Sequence, residues 1–207
     1  MRLSLADRSN LRIERPETPA HIAGLCVVEA RPLLRPDGEL DLATIRRRLE
    51  RRLVRVPELR RVVRRPPPLC GPPLWVDDPA FSIDRHVRAA RVEPPGDEAS
   101  LLRSAERLLR PLLDRSRPLW ELWFLTGLAG DRLGVLFKVH HAVADGLAAV
   151  ALVASLLDLE PDAADPPPAA WRPEPAPPPL ALLADSARCR VAAAGLALGH
   201  PVRLARG

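Results

Sequence analysis

The run Arg132-Leu133-Gly134-Val135-Leu136-Phe137-Lys138-Val139-His140-His141 constrains this chain more than any other stretch. Leu133, Val135, Phe137 and Val139 recur at period two, the repeat of a strand that buries one face. Continued to the end of the run, that period puts His141 on the inward face and points His140 the other way. Leu147 to Leu157 follows, rich in Ala and Leu and free of Gly and Pro, which predicts a largely buried helix closed by Asp158. Asp145 and Gly146 stand just before that helix, where a carboxylate can cap the first amides and glycine can adopt backbone shapes closed to other residues. Upstream, Pro118 fixes the backbone ahead of a second strand, Leu119 to Gly127. The turn at Gly130-Asp131 makes the two strands an antiparallel hairpin.

A histidine at a strand end can take a proton from a hydroxyl or thiol near neutral pH, because its unperturbed pKa lies close to that range. His141 is therefore the candidate general base, and Asp145 is given an architectural role at the turn. Other readings compete. A histidine on an apolar face is often a satisfied core residue, and two histidines with a nearby aspartate are also metal-ligand types. Adjacent strand residues diverge to opposite faces, which makes one ion shared by His140 and His141 awkward, so no metal is expected.

Elsewhere the chain alternates short helices and strands. Leu3 to Glu14 begins with a helical turn, His21 is a loop residue, and Ile22 to Glu29 reads as a buried strand. Asp41 opens a charged helix whose stripe is Leu42, Ile45, Leu49 and Leu53, with most of Arg46, Arg47, Arg48, Arg51 and Arg52 facing water. Arg60 to Arg65 predicts a short strand, and His86 reads as a half-exposed strand residue. Glu98 to Arg110 predicts a helix stopped by Pro111. Trp120 and Trp123 read as packing residues. From Glu160 to Pro179 the chain is Pro-rich, an extended linker, and Leu180 to Leu198 reads as a helix broken at Gly199-His200-Pro201.

A net charge of +5 raises nucleic acid as a partner, but Lys138 is the only lysine, the arginines are interleaved with Asp and Glu, and no aromatic platform accompanies them. Nucleic acid is therefore not expected. The 3 cysteines, Cys26, Cys70 and Cys189, are far apart and lack metal-knuckle spacing, which fits a reduced cytoplasmic protein. No secretory leader is visible after Met1-Arg2, and the apolar stretch Val191 to Leu198 is too short to span a bilayer.

Three patterns carry a family resemblance. His140-His141-x-x-x-Asp145-Gly146 between a strand and a helix resembles the active-site motif of the CoA-dependent acyltransferase superfamily. Leu3-Ser4-x-x-Asp7, Glu14 and Pro19-x-His21-x-x-Gly24-Leu25 resemble the amino-terminal signature of the bacterial wax ester synthase/diacylglycerol acyltransferase family, with Ala20 where that family usually has Met. Pro118-Leu119-Trp120-Glu121 is a second hallmark, and Trp75 to Arg88 looks similar as well. The resemblance implies an α+β fold, an α/β two-layer sandwich with a mixed sheet and packed helices, forming half of a chloramphenicol-acetyltransferase-like enzyme.

The same resemblance implies an acyl-CoA-dependent O-acyltransferase making triacylglycerol or wax ester. His141 would be its general base, His140 a supporting motif residue, and Asp145 and Gly146 structural at the active site. Acyl-CoA would be a substrate and no cofactor is implied; the partners would be diacylglycerol or a long-chain alcohol. Residues 1–160 would form the amino-terminal acyltransferase domain, 161–179 the linker, and 180–207 a helical segment leading toward a carboxy-terminal domain that is missing. Location would be cytoplasmic, peripheral at the inner membrane or on lipid inclusions. Rival implications are a truncated half that binds CoA, lipid or a partner chain without turnover, and an amide-forming condensation domain.

Overall fold

The computed structural model describes residues 1–157, 166–167 and 170–199, with side chains as far as residue 192. Asp158, much of the Pro-rich stretch, and His200-Pro201 lie outside the described residues. Helix α1 (Leu5–Ile13) leads to strand β1 (His21–Glu29), and α2 (Leu42–Arg52) to a two-strand unit, β2 (Arg61–Arg64) and β3 (Leu74–Asp77). Then come β4 (Val87–Arg91), α3 (Glu98–Leu109), the hairpin β5 (Trp120–Thr126) and β6 (Arg132–His140), α4 (Gly146–Leu156) and α5 (Pro179–Gly199).

The main sheet has the order β1-β6-β5-β4. β6 pairs antiparallel with both β1 and β5, and β4 pairs parallel with β5, so the sheet is mixed. Pleating sends Trp120, Leu122, Phe124, Leu133, Phe137 and Val139 to one face, where α2, the turn after it and α4 cover them with Ile45, Leu49, Leu53, Ala149, Leu152 and Leu156. Trp123, Leu125 and Leu136 go to the other face and meet Leu101 and Ala105 of α3. Gly134 is what lets α3 come so near: a Cβ there would lie 2.8 Å from Leu101 Cδ1 and 3.2 Å from Leu125 Cβ. The helix–sheet contact therefore needs the missing side chain more than backbone freedom.

Local signals set the helix starts. Ser4 and Asp7 form a reciprocal capping box on α1, and Asp41, Asp97 and Asp145 each accept an amide N–H as caps of α2, α3 and α4. The first turns of α5 return to the two-strand unit, where Leu182 joins Val62, Cys70, Leu74 and Val76, and Asp185 pairs with Arg2 at 2.7 Å.

Several expectations are corrected. β1 lies at the sheet edge and has no fully buried residue, because among the described residues only β6 pairs with it. α4 buries Ala149, Leu152 and Leu156 but leaves Leu147 and Val150 exposed, so one face of it is apolar and open. Arg52 is buried and donates to Leu156 O, joining α2 to α4 instead of facing water. His86 is fully buried: its Nδ1 lies 2.9 Å from Trp120 O, and its ring is stacked between Phe81 and Trp120. Trp120 is itself held by Nε1–H donation to Leu59 O at 2.7 Å, a packing residue.

Candidate active site

The strand ends one residue earlier than the period-two pattern implies. β6 stops at His140, whose side chain shares the face of Leu136 and Lys138 and is fully buried, whereas His141 lies in the following turn and is exposed. His140 does point away from the Val139 face, as the alternation implies, but His141 falls outside the strand and is exposed, because alternation holds only while the backbone is extended. Both faces of β6 are covered, so the face opposite Leu133, Phe137 and Val139 is interior too.

The turn that carries His141 is tied at each backbone group. His141 N–H donates to Ala20 O at 2.8 Å, His141 O accepts from Asn10 Nδ2 at 3.4 Å, and Val143 N–H donates to His140 O at 2.8 Å. Ala142 and Ala144 are buried. Asp145 closes the turn as the cap of α4, its Oδ1 accepting from Ala148 N–H at 2.9 Å. Gly146 has no positive φ, and a Cβ on it would meet nothing within 4 Å, so the expected conformational need for glycine there is absent.

Beneath the turn lies a polar cluster that brings the amino-terminal residues Glu14 and His21 together with Arg115 and His140. Glu14, with no side-chain exposure, places Oε2 2.8 Å from Arg115 Nη2 and accepts from Ala20 N–H at 3.3 Å. Its Oε1 is approached by His21 Nε2 at 3.1 Å and by His140 Nε2 at 3.3 Å, neither aligned as a hydrogen bond. Burial pushes the Glu14 carboxyl up, but the Arg115 hydrogen bond and the neighbouring His140 outweigh it and hold Glu14 below the usual carboxylate range.

Burial, then the nearby Lys138 ammonium, brings His21 down to about 4. Burial also lowers His140, so both rings are neutral at pH 7. His140 Nδ1 accepts the Ala142 N–H at 2.9 Å and so carries no proton, which leaves its proton on Nε2, toward Glu14. Lys138, lowered by burial, donates to the carbonyls of Leu108 and Pro111 and anchors the same face to the end of α3.

The exposed sides of β1 and α4 form an apolar trough of about 440 Å³, with Ile22, Gly24, Cys26 and Phe137 on one wall and Val150 and Val153 on the other. Gly146 also lines it. Among the described residues, no group of three or more His, Cys, Asp or Glu is placed to hold a metal ion, and no helix is long and apolar enough to cross a membrane.

Residues 3–206 match the family described as the wax ester synthase/diacylglycerol acyltransferase catalytic domain. The chain belongs to this family.

Relatives and solved structures agree on the placement. A Mycobacterium tuberculosis (strain CDC 1551 / Oshkosh) protein provisionally named a diacylglycerol O-acyltransferase is 34% identical over 207 residues, 99% of this chain and 38% of that one. A second protein from that strain, named probable diacylglycerol O-acyltransferase tgs1, is 42% identical over 137 residues, 66% of this chain and 28% of its own length. The wax ester synthase/diacylglycerol acyltransferase from Marinobacter aquaeolei VT8 superposes with a TM-score of 0.63 at 26% identity, covering 81% of this chain and 41% of that structure. The starter condensation domain of rhizomide synthetase RzmA shares the fold, with a TM-score of 0.55 at 17% identity over 75% of this chain and 37% of that one. The chain therefore spans well under half of these relatives.

Within the wax ester synthase/diacylglycerol acyltransferase signature, the structure brings Glu14, His21 and His140 into one cluster and sets His141 and Asp145 on the turn above it. From the sequence, Glu14 and His21 stand out as signature positions and His21 reads as a loop residue, whereas the structure makes His21 the first residue of β1; Arg115 and Lys138 carry no such signal. The cluster's one signal was Glu14 and His21 in a conspicuous amino-terminal pattern.

Proposed function

We propose that the chain is the amino-terminal half of an acyl-CoA-dependent O-acyltransferase of the diacylglycerol or long-chain-alcohol type, with His141 as general base. One observation carries the reading: an exposed imidazole stands on a turn whose backbone is held by Asn10 and by a buried Glu14–His140 pair that the half-exposed Arg115 anchors. In this mechanism His141 takes the proton of the acceptor hydroxyl, and the oxygen attacks the thioester carbonyl carbon. The tetrahedral oxyanion collapses, the C–S bond breaks, and the CoA thiolate leaves with the proton returned from His141.

His140 is a positioning residue, since its ring is buried and committed at Nδ1. The apolar trough beside Gly146 fits a fatty acyl or alkyl chain. The unpaired outer edge of β1 and the apolar outer face of α4, with Leu147 and Val150, support completion of the site by a carboxy-terminal domain reached through residues 161–179. Peripheral attachment to the inner membrane or to lipid inclusions belongs to the same proposal, since both acceptors are lipids.

CoA release from palmitoyl-CoA in the presence of diacylglycerol or hexadecanol tests the function. Acceptor-dependent release lost in His141→Ala supports it, and the better acceptor names the product. Release independent of acceptor, or retained in the variant, overturns it. Turnover only when a separate carboxy-terminal half is added identifies the chain as an incomplete half-site.

A further inference from the structure

We infer that the cavity on the outer side of α1 is a phosphate-binding site for the nucleotide end of coenzyme A. It is about 760 Å³, and its walls carry Arg8, Arg12, Arg65 and Arg115 with no acidic side chain among its described lining residues. This inference rests on the acyl-CoA reading and adds to it the place where the thioester's charged end is held.

The four guanidinium groups are not equivalent. Arg115 is already engaged, by Glu14 at 2.8 Å and by Leu11 O at 2.6 Å, so it forms wall and supplies no spare charge. Arg8 and Arg12 lie four residues apart on one side of α1, and Arg65 follows β2; among the described residues none of the three makes an ion pair. Asp7, on the same helix, is turned to the Ser4 N–H at 3.0 Å as part of the capping box. Three uncompensated cations around one concavity match phosphate oxygens, which guanidinium binds through paired, charge-assisted hydrogen bonds.

The cavity is also linked to the reacting turn. Its floor includes Leu3, Leu11 and Val63, which pack in one apolar cluster with Ala142 and Val143. Ala142 is the residue after His141, and Asn10 of α1 holds the His141 carbonyl. One side of α1 thus faces the arginine cavity while another supports the turn that presents the base. A ligand with phosphates at one end and a thioester at the other suits that arrangement.

The test is titration calorimetry of the intact chain with CoA, dephospho-CoA and pantetheine, repeated on Arg8→Gln/Arg65→Gln and on Arg47→Gln, an exposed arginine of α2. The double variant should bind CoA about tenfold or more weakly, the scale expected when charge-assisted bonds to phosphate are removed. It should leave pantetheine binding unchanged, and Arg47→Gln should bind CoA as the unaltered chain does. Added salt should weaken CoA and not pantetheine.

The proposal falls if the double variant binds CoA with unchanged affinity, or if the unaltered chain binds CoA no better than pantetheine. Vesicles of phosphatidic acid in phosphatidylcholine form a further arm. Binding to them through Arg8 and Arg65, without CoA binding, overturns the CoA assignment and assigns the phosphate chemistry to a lipid headgroup. No turnover is needed, so arginine-dependent CoA binding with no acyl transfer even after a separate carboxy-terminal half is added would remove the acyltransferase reading and keep this site. Acyl transfer with the KM for acyl-CoA unchanged in the double variant would remove only the site.

Discussion

His140 and His141 share a peptide bond and occupy opposite environments. The first is fully buried, neutral, committed at Nδ1 to Ala142 N–H and faced at Nε2 by a carboxylate that Arg115 holds ionised. The second is exposed, and only its backbone is tied down. The difference teaches how an imidazole proposed as the base can be presented with little loss of position: rigidity comes from the buried neighbour, and the proposed base keeps its ring exposed. Variants at the two positions should therefore fail differently.

The largest contrast is between activity and stability. His141→Ala should lower acceptor-dependent CoA release by about 10² to 10⁴, the range of general-base contributions, with thermal unfolding essentially unchanged because the side chain is exposed. Arg115→Ala should do the reverse, destabilising the fold by about 3 kcal/mol, since it strands the Glu14 carboxylate in the interior. Glu14→Ala should cost less, because Arg115 is 43% exposed and can turn to water. Chemical denaturation of the pair orders the two, and equal costs would refute the asymmetry.

Acid should act on the buried side of the comparison. His21 has a folded pKa of about 4 against 6.5 for the free ring, so the unfolded chain binds the extra proton between those values. Stability is full above pH 6.5 and falls as pH drops toward 4, by up to about 3 kcal/mol for this one group. His86 and His140, also lowered by burial, add in the same direction. Glu14, lowered as well, contributes stability above its unfolded pKa that is lost as pH falls through its folded value. Denaturation midpoints measured from pH 7.5 to 4.5 should show a shallower fall in His21→Asn.

These expectations also mark what could be read without coordinates. The β5–β6 hairpin, the strand–turn–helix around His141 and the capping role of Asp145 follow from local chemistry, because alternation, Gly-Asp turns and N-cap preference act over a few residues. The choice of which histidine faces inward did not follow, since it depends on where β6 stops being extended. The Glu14–Arg115 pair joins residues 101 apart, and His21 meets His140 only through the register of β1 on β6. Nothing local encodes those encounters. The burial of His86 is equally non-local, since it comes from Phe81 and from Trp120 on another strand.

Smaller effects sharpen the account at the turn. Asp145→Ala should cost about 1 kcal/mol through the lost cap, and Asp145→Asn almost nothing, by thermal denaturation. Gly146→Ala should alter stability by less than about 0.5 kcal/mol, because its Cβ has open space. A loss of CoA release in that variant would show that substrate or further polypeptide fills the space above Gly146.

The most direct test of the two-histidine account is the ring-nitrogen spectrum of the chain labelled with ¹⁵N at histidine and alanine, taken at pH 7. His140 should appear as the neutral Nε2–H tautomer, with a coupling across the hydrogen bond between its Nδ1 and the amide nitrogen of Ala142. A His140 ring that is cationic, or protonated at Nδ1 without that coupling, would contradict the claim that the buried histidine fixes the turn on which His141 is carried.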